Sequence, residues 1–162
     1  MSDQKTILIV DDDPFIRATT GTFLQSQGFR VIQAGNGQEG LDAFHAHEPD
    51  MVIVDLKMPI MNGLELLNRL TSTAPMTPVL VFSGEGGLDE AVEALRCGAW
   101  DYLIKPIQSM SILSHAVGRA LERSALLREK EESKQLLEKQ VQQRTLELQN
   151  AIWNWNDNFT SS

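Results

Sequence analysis

The strongest constraint on this chain is the run Met51-Val52-Ile53-Val54, which ends in an acid, Asp55, and then turns through Met58-Pro59. Four consecutive apolar residues are too few for a membrane span and too continuous for a half-exposed strand, so they predict a strand buried on both faces, as in the interior of a parallel sheet. Asp55 then stands at the C-terminal end of that strand, where open α/β sheets place their chemistry.

The run has companions. Ile7–Val10, Arg30–Gln33, Pro78–Ser83 and Trp100–Ile104 read as further strands. Between them lie helical patterns. Phe15, Ile16, Thr19, Phe23 and Leu24 recur until Gly28, residues 37–46 carry Leu41 and Phe44, Asn62 is placed to cap a helix bearing Leu64, Leu66, Leu67 and Leu70, and a fourth helix covers about Leu88–Arg96. Strand and helix alternating five times imply right-handed βαβ units. With the first, third and fourth runs placed centrally, the expectation is an α/β fold: a flavodoxin-like, doubly wound, five-stranded parallel sheet of order 2-1-3-4-5.

From Ser109 the composition changes. Pro is absent after Pro106 and Gly after Gly118, while Leu, Glu, Gln, Lys and Arg, all strong helix formers, dominate. Leu113, Ala120, Leu127, Lys134, Val141, Leu148 and Trp155 recur every seven residues, but the companion seam is poor, which describes a weak coiled coil with a polar middle. A fifth helix running to Asn150 would extend roughly 63 Å and would need a partner, possible as a homodimer. The expected organisation is therefore a globular domain over 1–121, a helical coiled-coil linker over 122–150 and an irregular tail over 151–162.

Charge narrows the class. Residues 1–121 hold 8 Lys and Arg against 15 Asp and Glu, whereas 122–150 hold 6 of each. An acidic domain lacks the basic footprint of nucleic-acid binding. No apolar run reaches membrane-helix length, the N-terminus lacks a signal-peptide core, and the single Cys97 excludes an intrachain disulfide; cytoplasm is the expected location.

Asp11-Asp12-Asp13 follows the first strand as Asp55 follows the third. With both strands central and parallel, these acids converge at one sheet edge. Packed carboxylates repel unless a cation joins them, and an oxygen-seeking ion such as Mg²⁺ suits such a set. One of the three could instead cap the first helix, with Pro14 in its first turn. Ser83 and Lys105 end the fourth and fifth strands at the same edge. A hydroxyl and an ammonium beside a metal and a carboxylate make a phosphoryl site, with Asp55 as nucleophile. His45 and His47 point to different sides of a helix and offer no metal site, and Cys97 reads as packing.

These segments resemble the receiver domain of two-component response regulators. The match is carried by Ile7–Asp12, by Val54–Pro59 with Met61-Asn62-Gly63, by Val81–Gly84 and by Gly98–Pro106. The resemblance implies that Asp55 accepts a phosphoryl group from a histidine kinase or phosphotransfer protein. It further implies that Asp11, Asp12, Asp55 and the Lys57 carbonyl hold Mg²⁺, that Lys105 pairs with the phosphoryl group, and that a cis bond precedes Pro106. Ser83 and Tyr102 would be the switch pair, Tyr102 turning inward as Ser83 moves, with a mobile glycine-rich loop over 84–87. The state would pass through the face of the fourth helix, fifth strand and fifth helix to an output domain or partner. The helical stretch 136–148 is similar to linkers that precede signalling output modules. Two alternatives stand beside this one: a haloacid-dehalogenase-like phosphatase using Asp11 as nucleophile and Asp13 as acid, and a receiver serving as a phosphorylation-independent scaffold.

Overall fold

The computed structural model describes residues 3–84 and 87–160. The chain divides into one compact unit ending at Ser124 and a second beginning at Ala125. In the first, strands β1 (Thr6–Val10), β2 (Arg30–Ala34), β3 (Met51–Val54), β4 (Val79–Ser83) and β5 (Asp101–Ile104) alternate with helices α1 (Pro14–Ser26), α2 (Gly37–His47), α3 (Gly63–Thr73), α4 (Leu88–Arg96) and the start of α5 (Met110–Thr160). All four strand pairings are parallel and the order is β2-β1-β3-β4-β5, as the sequence implied.

The strand period of two sorts side chains onto two faces. Leu8, Val10, Val52, Val54, Val79 and Val81 pack with Phe44 of α2, Leu66, Leu67 and Leu70 of α3 and Ala94 of α4. Ile7, Ile9, Met51, Ile53, Leu80, Phe82 and Leu103 pack on the other face with Leu24 of α1 and Leu113, Ala116, Val117 and Ala120 of α5. Covering both faces is why β1, β3 and β4 read as unbroken apolar runs. Register then sets the height of each strand end. Val10, Val54, Val81 and Tyr102 lie side by side, so Asp11 and Asp55 leave the sheet at the same level, with Ser83 and Lys105 slightly beyond.

Three details depart from the sequence reading. Phe15, placed on the inner stripe of α1, is 75% exposed, while Thr20, Gly21 and Leu24 are buried. The compact unit runs three residues past 121, because Ser124 is buried and its hydroxyl donates to the Met76 carbonyl at 2.8 Å. The tail 151–162, expected to be irregular, is helical through Thr160. Once a helix is nucleated each added residue contributes its own hydrogen bond. Here Trp155 and Phe159, one turn apart, bring their rings to 4.6 Å, and the Thr160 hydroxyl donates to the Asn156 carbonyl at 3.0 Å. The expected mobile loop centres on Glu85 and Gly86, outside the described residues.

Candidate phosphoryl-transfer site

Asp55 leaves β3 one residue after Val54, and its backbone N–H donates to the Val10 carbonyl at 2.9 Å, tying it to the neighbouring strand end. The loop that follows is held by close packing. A Cβ on Gly63 would sit 2.2 Å from the Asp55 carbonyl oxygen and 2.6 Å from the Leu56 Cα, so only glycine lets α3 begin this close to the acid. Asn62, as the sequence indicated, caps α3 by accepting from the Glu65 N–H at 2.9 Å. Ile60, in the same loop, holds φ at 71°, a left-handed conformation uncommon for a β-branched residue.

The Asp triplet divides its labour. Asp13 is the N-cap of α1, accepting from the Phe15 and Ile16 N–H groups. Asp11 is buried and accepts from the Asp13 N–H at 2.9 Å and from Lys105 Nζ at 2.5 Å. Asp12 faces solvent. With Asp13 engaged in capping, a pairing of Asp11 as nucleophile with Asp13 as acid loses its second free carboxylate. Asp11, Asp12 and Asp55 instead form a cluster, each offering a carboxylate oxygen within 4.8 Å of the others. An all-oxygen donor set of this kind suits a hard divalent cation.

Lys105 reaches back from the end of β5, 3.5 Å from Asp55 Oδ2, so one ammonium touches both buried acids. The bond from Lys105 to Pro106 is cis. Burial raises the Asp55 pKa above its ordinary value; the Lys105 charge opposes the rise, and Asp11 and Asp12 reinforce it. Ser83 is 1% exposed, and its Oγ has no hydrogen-bond partner among the described residues. The Tyr102 hydroxyl is likewise buried without a well-formed hydrogen bond. Burial raises its pKa, the nearby Glu90 adds to the rise, and the neighbouring Ser83 hydroxyl offsets part of it. Tyr102 thus already directs its hydroxyl inward.

Asp11, Asp12, Asp55, Lys57, Ser83 and Lys105 line one open cleft of about 240 Å³. The sequence pointed to every one of these. It did not point to Arg17, whose guanidinium donates to the Asp11 carbonyl at 2.7 Å and steadies the β1–α1 turn. One turn into an amphipathic helix, it looked like any exposed cation. Gly63 was noticed only as part of a motif; its steric role depends on the fold. His45 meets the Phe44 ring edge-on, and the half-buried Cys97 packs against the core.

A family profile described as response regulator receiver domain matches residues 7–117. Regulatory protein AtoC of Escherichia coli K12 is 40% identical over 123 residues, 76% of this chain and 26% of that protein. A response regulator receiver domain protein from Clostridium thermocellum superposes with a TM-score of 0.71 at 34% identity, covering 76% of this chain and 98% of the other. NtrX from Brucella abortus gives 0.75 at 33%, covering 80% and 29%. The chain spans about a quarter to a third of the length of the curated relatives AtoC and the regulator of RpoS. No helix among the described residues is long and apolar enough to cross a membrane. Sheet order, the Asp cluster and these matches together place the chain in the response regulator receiver domain family.

Proposed function

We propose that the chain is a phosphorylation switch in which Asp55 accepts a phosphoryl group from a phosphohistidine on a histidine kinase or phosphotransfer protein. The observation that supports it best is the meeting of three carboxylates, the Lys105 ammonium and the buried Ser83 hydroxyl in one cleft. An Asp55 carboxylate oxygen attacks phosphorus, the P–N bond breaks, and its electron pair stays with the departing imidazole. Lys105 and Ser83 are placed to bind phosphoryl oxygens as the charge redistributes. Asp11, Asp12, Asp55 and the Lys57 carbonyl would hold Mg²⁺, which when bound adds positive charge beside those oxygens.

A phosphoryl group brings roughly 1.5 to 2 negative charges and three acceptor oxygens. Ser83 makes no well-formed hydrogen bond among the described residues, so it can turn toward them. Tyr102 already lies inward, so its response is a change of partner and packing beside Ser83 rather than an entry from solvent. The affected surface is formed by α4, β5 and the first turns of α5, and an output domain or partner would read it there.

Labelling with radioactive acetyl phosphate tests this reading. Mg²⁺-dependent label is expected in the wild-type chain and none in Asp55→Asn. Label that survives in Asp55→Asn but vanishes in Asp11→Asn would favour phosphatase-type chemistry, and absence of label in the wild type would favour a scaffold.

A further inference from the structure

Arg17 holds the acidic turn on both sides of its exposed acid, Asp12. The Arg17 guanidinium donates to the Asp11 carbonyl at 2.7 Å, and the Arg17 backbone N–H donates to the Asp13 carbonyl at 3.1 Å. Asp12 lies between those two carbonyls, with its carboxylate in the cluster it forms with Asp11 and Asp55. The Asp11 side chain is fixed without Arg17: Oδ1 accepts the Asp13 N–H, Oδ2 accepts from Lys105 Nζ, and the Asp11 N–H donates to the Ala34 carbonyl. What the guanidinium adds is the direction of the Asp11 carbonyl. That carbonyl belongs to the planar peptide joining Asp11 to Asp12, so its direction sets where Asp12 leaves the turn. The guanidinium is itself confined. Arg17 is partly buried and passes Gly35 in the β2–α2 loop, where a Cβ would stand 3.5 Å from Arg17 Nη1.

We propose that Arg17 is a positioning residue that presets Asp12 for the divalent cation and raises Mg²⁺ affinity in spite of its own charge. The proposal rests on the reading of Asp11, Asp12 and Asp55 as metal-holding acids. Two effects of opposite sign meet at Arg17. A guanidinium beside the cluster repels a dication, so removing the charge alone tightens binding. Removing the hydrogen bond frees the peptide between Asp11 and Asp12, and Asp12 must then be ordered as the cation arrives, which weakens binding. Ordering one residue's backbone opposes binding by about tenfold, within the roughly 10–100-fold that outer-shell partners of metal ligands contribute. The repulsion is smaller because solvent reaches Asp12 and screens it. Positioning therefore wins.

The test adds Mg²⁺ stepwise to the isotopically labelled full chain and takes the dissociation constant from NMR shifts of the amides at 11–13 and 55–57. Arg17→Met removes the charge and the donors and is expected to weaken Mg²⁺ binding about tenfold. Arg17→Lys keeps the charge and a donor and is expected to restore part of that loss. In an Asp12→Ala background Arg17→Met is expected to cause no further loss, because the carboxylate it positions is gone, whereas a general loosening of the fold would still weaken binding there. Binding in Arg17→Met as tight as wild type or tighter, no recovery in Arg17→Lys, or the full loss persisting beside Asp12→Ala would each overturn the proposal and leave the phosphoryl-transfer reading standing. Wild-type amides that do not respond to Mg²⁺ would overturn both.

Discussion

Replacing Ile60 by glycine should make the first unit more stable, although it deletes a large apolar side chain. Ile60 is 81% exposed, so little burial is lost. Its φ of 71° places Cβ against backbone in a way that costs an L-residue roughly 1–2 kcal/mol. Glycine relieves that strain but adds roughly 0.5–1 kcal/mol of unfolded-chain entropy. The net gain is about 0.5–1 kcal/mol, which at a urea slope of about 1–3 kcal/mol/M raises the midpoint by roughly 0.2–1 M. Equilibrium unfolding followed by circular dichroism measures it, with Ile60→Ala as control, since alanine keeps the Cβ and with it most of the strain. If glycine proved less stable than isoleucine, or no better than alanine, the argument from backbone strain would fail.

Other perturbations address the site. Gly63→Ala should cost about 2–3 kcal/mol by steric conflict alone, because its Cβ would sit 2.2 Å from the Asp55 carbonyl oxygen, and urea unfolding should show the loss despite alanine's better helix propensity. Asp55→Asn should be more stable than wild type at pH 7. The folded-state pKa of Asp55 is raised, so the stability contributed by its protonated form is complete below about 3.8 and is lost as pH rises through the folded value. The advantage of the variant should therefore shrink on acidification, and a pH-independent gap would contradict it. Lys105→Met leaves Asp11 and Asp55 without their shared ammonium and should cost about 2–4 kcal/mol in EDTA at neutral pH, less at pH 4. Added Mg²⁺ should recover part of the loss, read as a shift in urea midpoint.

Most of the fold was visible in the sequence because a sheet covered on both faces requires continuous apolar strands, and Ile7–Val10, Met51–Val54 and Val79–Val81 supply them. The cleft was visible for a related reason. Each contributing side chain directly follows a strand, so register alone brings Asp11, Asp55, Ser83 and Lys105 together. What escaped depends on side-chain reach or on backbone proximity. Arg17 and Asp11 are six residues apart, and nothing in their spacing shows that a guanidinium will fold back onto a carbonyl. The exposure of Phe15 follows from a helix wheel rotated so that Thr20, Gly21 and Leu24 face the sheet, and small residues give a weak periodic signal.

The course of α5 shows why a domain boundary can hide inside one unbroken helix. Up to Ser124 its buried residues are Leu113, Ala116, Val117, Ala120 and Ser124, the first four in the core shared with β1, β3 and β4. The last of these is polar, yet buried, because its hydroxyl finds the Met76 carbonyl. A serine there looks like the end of an apolar stripe, and the expected boundary at 121 followed the reach of the segments that resemble a receiver domain. Beyond it the apolar residues become large and exposed, from Leu126 to Phe159. The change from small and buried to large and exposed marks where the helix leaves the first unit's core, not where it stops being a helix. Backbone hydrogen bonds keep the segment continuous where its side chains no longer pack on the core. A substitution at Ser124 should therefore weaken the first unit alone, and one at Ile152 should leave that unit unaffected.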